Sequence, residues 1–458
     1  MPIHLCLTRM ALRGGALSAL LTGSVLASAA PAPEVATAAQ CALGSYRMAD
    51  GSSLDIGPAA VAGQLRWRLP DGRTGRLQAH GNGRWASTLG WTDRADGHTV
   101  ELPACGSTAI RFDGQPGERI ALVQTDTRFV SGSVTLAGRL TLPPGTGPVP
   151  IVVLVHGAEH DAALPTYSLQ REFAAAGIGV FAYDKRGTGD SGGRYTQNYL
   201  TLANDAIHAA RQARRLAGAR GGRLGYQGGS QGGWVAPLAA RIEPVDFVIV
   251  SFGLAVSPLE EDREAIAYDM ARAGVGADDT AKAMEVADAS AAIVGSGFTD
   301  GFTQLASVKA RYGHLPWFKA VRGNISGYLL ATPEATVRVD GPRLLEGMPA
   351  DYDPLPVLEH LDVPQLWLLA GQDRDAPPGQ TLRRLAHLQG EGRPIRTAVF
   401  PDADHGMYAF ERDAAGERVS TRQPDGYLRL MQDFILARPL AASYGAARVE
   451  AGPRSTPP

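Results

Sequence analysis

The segment Gly228-Gly229-Ser230-Gln231-Gly232 decides the fold that the sequence predicts. It follows a short strand pattern at residues 223–226 and precedes a helix-like run that begins near Trp234. A Gly-x-Ser-x-Gly pattern between a strand and a helix is typical of a strained turn that exposes a serine hydroxyl. The small neighbours let the backbone pass close to adjacent strands. A plain glycine-rich turn is the alternative, and the strand–turn–helix context argues against it.

Strand-like and helix-like stretches alternate on both sides of this turn. Continuous apolar runs at residues 151–155, 179–183 and 247–250 are typical of strands that are buried on both faces of a parallel sheet. Helix-like stretches separate the earlier runs, and further strand patterns lie at residues 365–370 and 397–400. This alternation predicts an α/β fold with a mostly parallel, twisted sheet that is flanked by helices.

The sequence pattern changes at several points along the chain. An early region of short alternating runs with glycine-containing turns predicts a small β-rich domain. A later Ala-rich, helix-forming region predicts a helical cap inserted into the sheet domain. The predicted organisation is a signal peptide at 1–29, a β-rich N-terminal domain at 40–127, the first part of the core at 130–254, the cap at 255–355, the second part of the core at 356–438 and a disordered tail at 439–458.

The first residues have the features of a secretory signal peptide. Arg9 and Arg13 precede an apolar stretch that is too short to span a bilayer, and Ala27-Ser28-Ala29 suits cleavage. A retained membrane anchor is the alternative, and the short apolar stretch argues against it. The pattern therefore predicts export to the periplasm or the medium, and a mature chain without a membrane span.

The bulk composition excludes several classes of protein. Hydrophobic residues make up 44% and charged residues 20% of the 458 residues, which argues against both a disordered chain and a membrane-embedded one. The 44 Lys and Arg nearly balance the 46 Asp and Glu. Because a nucleic-acid-binding protein would show a basic excess, nucleic acid is not an expected partner.

The cysteines fit the same prediction of export. Of the three, Cys6 lies in the predicted signal peptide, which leaves Cys41 and Cys105 as an even pair. Such a pair in an exported chain is predicted to form a disulfide. Two unpaired, buried thiols are the alternative.

A serine hydroxyl becomes a good nucleophile only when a base takes its proton, and that base needs an acid to hold its tautomer. In the order serine, acid, histidine, the candidates after Ser230 are Asp373 and His405, each of which follows a late strand pattern. Asp375 is the alternative acid. The remaining histidines of the late and helical regions follow no late strand and are interpreted as surface or core residues: His208, His314, His360 and His387.

Catalysis of this kind also needs donors for a developing oxyanion. The expected donors are the backbone amides of Gln231, directly after the serine, and of Ala158, in the loop after an earlier strand. A metal site at His156, His160 and Asp161 is conceivable, but no His-Glu-x-x-His pattern supports it. The reaction that these residues predict needs no cofactor and no metal.

Residues from about 130 to 437 resemble the α/β-hydrolase superfamily, and within it bacterial carboxylesterases and serine aminopeptidase-like hydrolases with a helical cap. The matching pieces, in order, are His156-Gly157, Tyr183-Asp184-Lys185-Arg186-Gly187-Thr188-Gly189-Asp190-Ser191, the turn at Ser230, Gly371-Gln372-Asp373 and Asp404-His405-Gly406. The resemblance implies the α/β-hydrolase fold, and it implies that the segment after Tyr183 shapes a loop. The region before about residue 127 lies outside it.

The predicted function is that of a serine hydrolase cleaving carboxylic esters of small molecules through an acyl-enzyme on Ser230. A serine peptidase acting on short peptides is the alternative. The acidic run Glu260-Glu261-Asp262 could bind the free amine of such a peptide, although a charge run at a helix start is more often a solvated N-terminus. A binding module with idle catalytic residues is a more remote alternative.

Overall fold

The computed structural model describes residues 39–61, 63–81, 83–102 and 105–451. The predicted signal peptide lies outside these ranges, as do residues 452–458 of the predicted tail. Within the described ranges, no helix is both long and apolar enough to cross a membrane.

The first part of the described chain is a closed barrel of antiparallel strands. They are β1 Gly44–Met48, β2 Ser53–Pro58, β3 Leu65–Arg68, β4 Thr74–Ala79, β5 Arg84–Leu89, β6 Ala95–Glu101, β7 Ala109–Phe112 and β8 Gln115–Arg119. Each strand pairs with the next, and β1 also pairs with β8, which closes the barrel. Tyr46, Leu54, Ile56 and Trp67 are fully buried, so side chains fill the interior.

The predicted disulfide between Cys41 and Cys105 is present. Cys41 lies just before β1, and Cys105 lies between β6 and β7, at a sequence separation of 64 residues. The bond therefore ties the start of the barrel to its last third.

The remaining strands form two further sheets. They are β9 Val123–Ser131, β10 Val134–Leu142, β11 Val149–Val155, β12 Gly179–Tyr183, β13 Gly221–Gly229, β14 Phe247–Ser251, β15 Gln365–Ala370, β16 Ile395–Phe400, β17 Ala403–Asp404, β18 Tyr408–Arg412, β19 Arg418–Arg422, β20 Ser443–Tyr444 and β21 Ala447–Ala451. A ten-stranded sheet has the order β20-β21-β16-β15-β14-β13-β11-β12-β10-β9, and β17, β18 and β19 form a small sheet of their own. From β12 to β16 the large sheet is parallel, which confirms the predicted fold class.

The helices either cover the two faces of the large sheet or belong to an insertion between β14 and β15. They are α1 Ala163–Thr166, α2 Leu169–Ala175, α3 Tyr199–Ala217, α4 Gly232–Ile242, α5 Pro258–Arg272, α6 Ala277–Gly295, α7 Phe302–Tyr312, α8 Ile325–Ala331, α9 Glu334–Leu344, α10 Leu355–Leu358, α11 Gly379–Gly390 and α12 Tyr427–Ile435. Neighbouring residues of a strand point to opposite faces. Val153 therefore packs in the core cluster of α3 and α4, whereas Val152 and Leu154 pack in the cluster of α2 and α12.

The helices α5 to α9 form the predicted insertion between β14 and β15. They have a hydrophobic core of their own, which includes Ile266, Met270, Val286 and Ile293. The insertion begins with a capping box, in which Ser257 and Glu260 satisfy each other's backbone amides. It is therefore a separately packed layer that follows the carboxyl end of β14 and precedes β15.

Two features of the structure differ from the sequence predictions. Residues 123–127, placed in the N-terminal domain, belong to β9, which pairs with β10 along its whole length. The tail from 439, predicted to be disordered, is ordered up to Ala451, because β21 pairs with the open edge of β16 and buries Ala447. The composition of the tail does not indicate this pairing, because it depends on the edge that β16 offers after folding.

The barrel packs against the small sheet that follows β16. The Trp91 amide donates to the Ser420 carbonyl at 2.9 Å, and the Gln423 amide donates to the Gly72 carbonyl at 3.0 Å. The rings of Trp91 and Tyr408 meet edge to face. We call residues 403–422 the His405 hairpin, since His405 lies at its start. The barrel thus contacts the hairpin that carries one of the candidate residues.

Candidate active site

Ser230 lies on the turn between β13 and α4, and its backbone has a φ of +52°. Such a left-handed conformation is strained for a residue other than glycine and persists only where the surroundings impose it. A Cβ on Gly228 would lie 2.2 Å from the Gly232 carbonyl oxygen, and a Cβ on Gly232 would lie 2.7 Å from that of Val155. The two glycines therefore permit the turn that holds the Ser230 hydroxyl at the carboxyl end of β13.

The structure brings Ser230, Asp373 and His405 together. The Ser230 Oγ lies 3.1 Å from Nε2 of His405, and Nδ1 of His405 lies 2.9 Å from Oδ2 of Asp373. Asp373 follows β15, and His405 follows β16 after the short strand β17, so the parallel strands β15 and β16 lead both side chains to the edge where Ser230 lies. Since a carboxylate only accepts, Nδ1 donates to Asp373, and Nε2 of the neutral imidazole is left to accept the serine proton.

Asp375 and Asp404, two other acidic residues near His405, interact with it differently from Asp373. The Nδ1 hydrogen bond goes to Asp373, whose Oδ1 also accepts from the Ala376 amide at 2.7 Å. Asp375, the alternative acid, acts on His405 through its charge. Asp404 accepts from the His405 amide at 2.9 Å and forms an ion pair with Arg418 at 2.7 Å.

The buried carboxylates perturb the titration of His405. Burial alone would lower the pKa of His405, but the charge and hydrogen bond of Asp373, and the charges of Asp375 and Glu261, outweigh it and raise the pKa to about 10. Burial raises the pKa of Asp373, and His405 opposes that shift. The site therefore favours the imidazolium form of His405.

Glu261 is the member of the acidic run that faces this site. Burial raises the pKa of Glu261 well above its ordinary value, His405 opposes the shift, and Asp375 and Asp373 add to it. The Asn324 side-chain amide donates to Oε1 of Glu261 at 3.2 Å and to the Asp375 carbonyl at 2.7 Å. The helical insertion thus places a carboxyl group within electrostatic reach of His405.

The two neighbours of Glu261 are structural. Glu260 caps α5 and pairs with Arg384 at 2.6 Å. Asp262 is buried and accepts from the amides of Ile325 and Ser326 at 2.7 and 3.0 Å. The interpretation of this run as a solvated helix start therefore does not hold for Asp262, which is buried against Ile325 and Ser326, whereas Glu261 is half-buried.

The loop after β11 passes beside the Ser230 turn. A Cβ on Gly157 would lie 3.5 Å from Cβ of Ser230, so the backbone that leads into Ala158 runs next to the serine. Within the part of the chain that the structure describes, neither the Ala158 amide nor the Gln231 amide donates a hydrogen bond. Both predicted donors are therefore available to a ligand at this position.

The structure adds contacts that the sequence interpretation did not include. The Phe252 ring lies edge to face against the His405 imidazole, with 5.1 Å between ring centroids. Phe252 directly follows β14, so its position at the end of a parallel strand was a usable signal. Arg418 donates to the Gln372 carbonyl at 2.7 Å while it pairs with Asp404. This guanidinium joins the loop of Asp373 to the His405 hairpin, and nothing local in the sequence indicates it.

The residues considered for a metal site have other contacts. Nε2 of His156 donates to the Tyr183 carbonyl at 2.5 Å, and the His160 ring stacks on Tyr195 at 3.6 Å. Among the residues that the structure describes, no group of three or more His, Cys, Asp or Glu side chains is placed to hold a metal ion. His208 does not belong to the candidate site, since its Nδ1 donates to the Asn204 carbonyl one turn earlier on α3.

Comparisons with known proteins give one family and several distant structural neighbours. The model of the Alpha/beta hydrolase family matches residues 152–420. An esterase of Pyrococcus furiosus is similar at 14% identity, with 62% of this chain and 84% of that chain covered and a TM-score of 0.40. Est1E of Butyrivibrio proteoclasticus, solved with ferulic acid bound, is similar at 14% identity, with 68% and 96% covered and a TM-score of 0.38.

A peptidase is similar to the same degree. The acylaminoacyl peptidase of Pyrococcus horikoshii has 16% identity, a TM-score of 0.40, and coverage of 77% of this chain and 52% of that chain. This chain thus spans about half the length of that peptidase. No curated protein matches the chain.

Proposed function

The chain belongs to the alpha/beta hydrolase family and is a hydrolase; from that premise we propose that it cleaves carboxylic esters through an acyl-enzyme formed on Ser230. One observation carries the proposal. The Ser230 hydroxyl, the His405 imidazole and the Asp373 carboxylate are connected by hydrogen bonds of 3.1 and 2.9 Å at the end of the parallel sheet. This is the arrangement that a nucleophile, a base and an orienting acid require.

The proposed reaction has two halves. Ser230 attacks the ester carbonyl while Nε2 of His405 takes the hydroxyl proton, and the imidazolium then gives that proton to the leaving alcohol. Water enters and attacks the acyl carbon while His405 takes one of its protons, and the imidazolium then returns that proton to the Ser230 oxygen as the acid leaves. Asp373 holds the Nδ1 proton throughout, so the same nitrogen of His405 always faces the reacting atoms.

The amides of Ala158 and Gln231 are the proposed donors to the tetrahedral oxyanion. Both lie beside Ser230, one in the loop after β11 and the other in the turn itself. Loss of one such donor costs on the order of 10²–10³ in turnover. The carboxylates around His405 complement these donors, because they stabilise the imidazolium that forms at the same moment.

We propose that the helical insertion, residues 255–355, is a cap over this site. Its helix α5 places Glu261 near His405, and its Asp269 holds Arg374, next to Asp373, in a bidentate ion pair at 2.7 and 3.0 Å. The insertion therefore contacts the proposed acid loop directly, which suits a layer that shapes the substrate pocket.

A second candidate is cleavage of short peptides with a free amino terminus, and Glu261 favours it. A carboxyl group whose pKa is raised by burial and by Asp375 would ionise if an ammonium group bound beside it. Under this candidate, Ser230 and His405 keep their proposed roles and the scissile bond is an amide.

Labelling with an organophosphonate and a substrate panel test these proposals. We expect the phosphonate to modify Ser230 once, and Ser230→Ala to fold normally, resist labelling and lose nearly all turnover. Wild-type turnover by Ser230→Ala would refute the proposal. Nitrophenyl esters of graded chain length, tested beside aminoacyl anilides, separate the two candidates. If the anilides are preferred and Glu261→Gln removes that preference, the peptidase candidate is the right one.

We also propose that the protein is exported to the periplasm or the medium. The disulfide between Cys41 and Cys105 suits an oxidising compartment, and the first 29 residues have the pattern of a signal peptide. Fractionation of the source cells, with the intact mass of the recovered protein, tests this. Uncleaved protein in the cytoplasm would contradict it.

A further inference from the structure

Lys185, within the segment that the family resemblance treats as shaping a loop, is fully buried beside the proposed active site. It follows β12, and only 1% of its surface is exposed. Its Nζ donates to the carbonyl oxygen of Gly157 at 2.7 Å. Burial of an ammonium group costs free energy unless hydrogen bonds or an opposite charge compensate it. The Gly157 carbonyl belongs to the loop that passes beside Ser230.

The hydrogen bond from Lys185 determines the direction of the next amide. The Gly157 carbonyl and the Ala158 N–H belong to one planar peptide unit, and in a trans peptide they point in opposite directions. Lys185 holds the carbonyl on one side of the peptide C–N bond, so the Ala158 N–H points to the opposite side of that bond. In the proposed reaction, that N–H is one of the two donors to the oxyanion.

Tyr195 fixes the following peptide unit. Its hydroxyl donates to the Ala158 carbonyl at 2.7 Å. The peptide planes on both sides of the Ala158 Cα are therefore held, one by Lys185 and the other by Tyr195. A residue whose two flanking planes are fixed cannot rotate its amide without breaking one of these hydrogen bonds.

The loop that carries Lys185 and Tyr195 is stabilised by contacts of its own. Gly187 has a φ of +73°, and a Cβ there would lie 2.1 Å from the Tyr195 amide nitrogen. Arg186 forms a bidentate ion pair with the buried carboxylate of Asp205 on α3, at 2.7 and 2.5 Å. Asp184 accepts the amide of Asp190, at the far end of the turn, at 3.1 Å. These contacts stabilise the loop conformation in which Lys185 reaches the Gly157 carbonyl and Tyr195 reaches the Ala158 carbonyl.

A carboxylate compensates the buried charge of Lys185. Burial would raise the pKa of Glu159, but its hydrogen bond and charge interaction with His156, and then the charge of Lys185, lower it to about 2. Glu159 is therefore ionised and also accepts the Tyr167 hydroxyl. Glu159 directly follows Ala158, so its ionic and hydrogen-bonding contacts hold the loop after β11 next to the proposed oxyanion donor.

We propose that Lys185 and Tyr195 are positioning residues, which aim the Ala158 amide at the oxyanion by holding the carbonyls of Gly157 and Ala158. This inference rests on the proposed function, because it concerns an oxyanion formed by attack of Ser230. It gives the Asp-Lys-Arg-Gly loop a role in turnover beyond the shape of the fold.

Paired substrates test the inference. A nitrophenyl ester and its thionoester differ in the atom that becomes the oxyanion, and sulfur accepts hydrogen bonds weakly. For Lys185→Met we expect kcat on the oxygen ester to fall about tenfold to a hundredfold, with KM changed less than about twofold. On the thionoester, kcat should change far less, so the ratio of kcat on the oxygen ester to kcat on the thionoester falls. Tyr195→Phe should lower the ratio in the same direction.

Lys309→Met is the matched control, because the Lys309 Nζ also donates to a backbone carbonyl, that of Leu330, but on the exposed side of the helical insertion. It should leave both rates unchanged. An equal loss on both substrates for Lys185→Met, or no loss, overturns the inference. If that variant does not fold, the ratio measured for Tyr195→Phe decides in the same way. Activity retained by Ser230→Ala would instead refute the proposed function, so the two failures are distinguishable.

Discussion

Arg171 of α2 and Asp55 of the barrel form a buried, bidentate ion pair, with Nε to Oδ1 at 2.7 Å and Nη2 to Oδ2 at 2.9 Å. Only 3% of the Asp55 side chain is exposed. Ser45 of the barrel adds a hydrogen bond to the Arg171 carbonyl. Together with the contacts of the barrel to the His405 hairpin, this pair makes the barrel part of the same folded body as the large sheet.

We expect Asp55→Ala to destabilise the protein by about 3–5 kcal/mol, because it leaves the Arg171 guanidinium buried without its carboxylate. Urea unfolding measures the change. Asp93→Ala is the matched control, since Asp93 also pairs with an arginine of the barrel, Arg76, but is 93% exposed. Its loss should cost less than about 1 kcal/mol. Equal effects of the two substitutions would contradict the account of barrel docking.

Loss of the disulfide should lower the thermal stability of the barrel. A bond between residues 64 apart in sequence removes much chain entropy from the unfolded state. The paired substitution Cys41→Ser and Cys105→Ser should therefore cost about 2–5 kcal/mol. Thermal melts with and without reductant check this. Reductant should lower the Tm of the wild type and leave that of the double variant unchanged, and a wild type insensitive to reductant would argue against the bond.

The pH dependence of kcat/KM should reflect the raised pKa of His405. His405 acts as a base only when neutral, and its pKa is raised from 6.5 to about 10, so kcat/KM should rise with pH through the alkaline range up to about 10. Asp375→Asn removes one of the carboxylates that raise this pKa and should shift the rise to lower pH. Asp402→Asn, at an exposed position nearby, is the control. A plateau reached near pH 7 in the wild type would be the contrary result.

The same shift has a consequence for folding stability. The pKa of His405 is higher in the folded protein than in the unfolded chain, so the charged imidazole stabilises the fold. That contribution is complete below pH 6.5 and is lost as the pH rises through about 10. Urea unfolding of the wild type and of His405→Gln across this range should show a difference in unfolding free energy that shrinks with pH.

Arg418→Gln should impair turnover more than stability. Arg418 pairs with Asp404 and donates to the Gln372 carbonyl, so it holds the neighbours of both His405 and Asp373. Small displacements of catalytic groups are costly, and we expect kcat/KM to fall about tenfold to a hundredfold. Arg412→Gln, in the same hairpin but exposed and bonded to the Gly416 carbonyl, is the control. Unchanged kinetics in Arg418→Gln would show that the hairpin needs no such anchor.

Much of this molecule follows from patterns that are local in the sequence. The buried strand runs, the Gly-x-Ser-x-Gly turn and the order of Ser230, Asp373 and His405 along the chain are sufficient for the fold class and for the candidate site. They suffice because parallel strands end at one edge of a sheet, so residues that follow nearby strands lie close together at that edge. The disulfide followed from the count of cysteines.

The remaining features depend on which surfaces meet after folding. Glu261 lies in a charge run that suits a solvated helix start, and only the packing of the insertion turns it toward His405. Lys185 contacts Gly157, which lies 28 residues away in sequence, and Arg418 contacts Asp404, which lies 14 residues away. Both contacts depend on how loops fold back on each other. Spacing in sequence carries no information on such contacts, since the conformation of each loop is set by its neighbours in space.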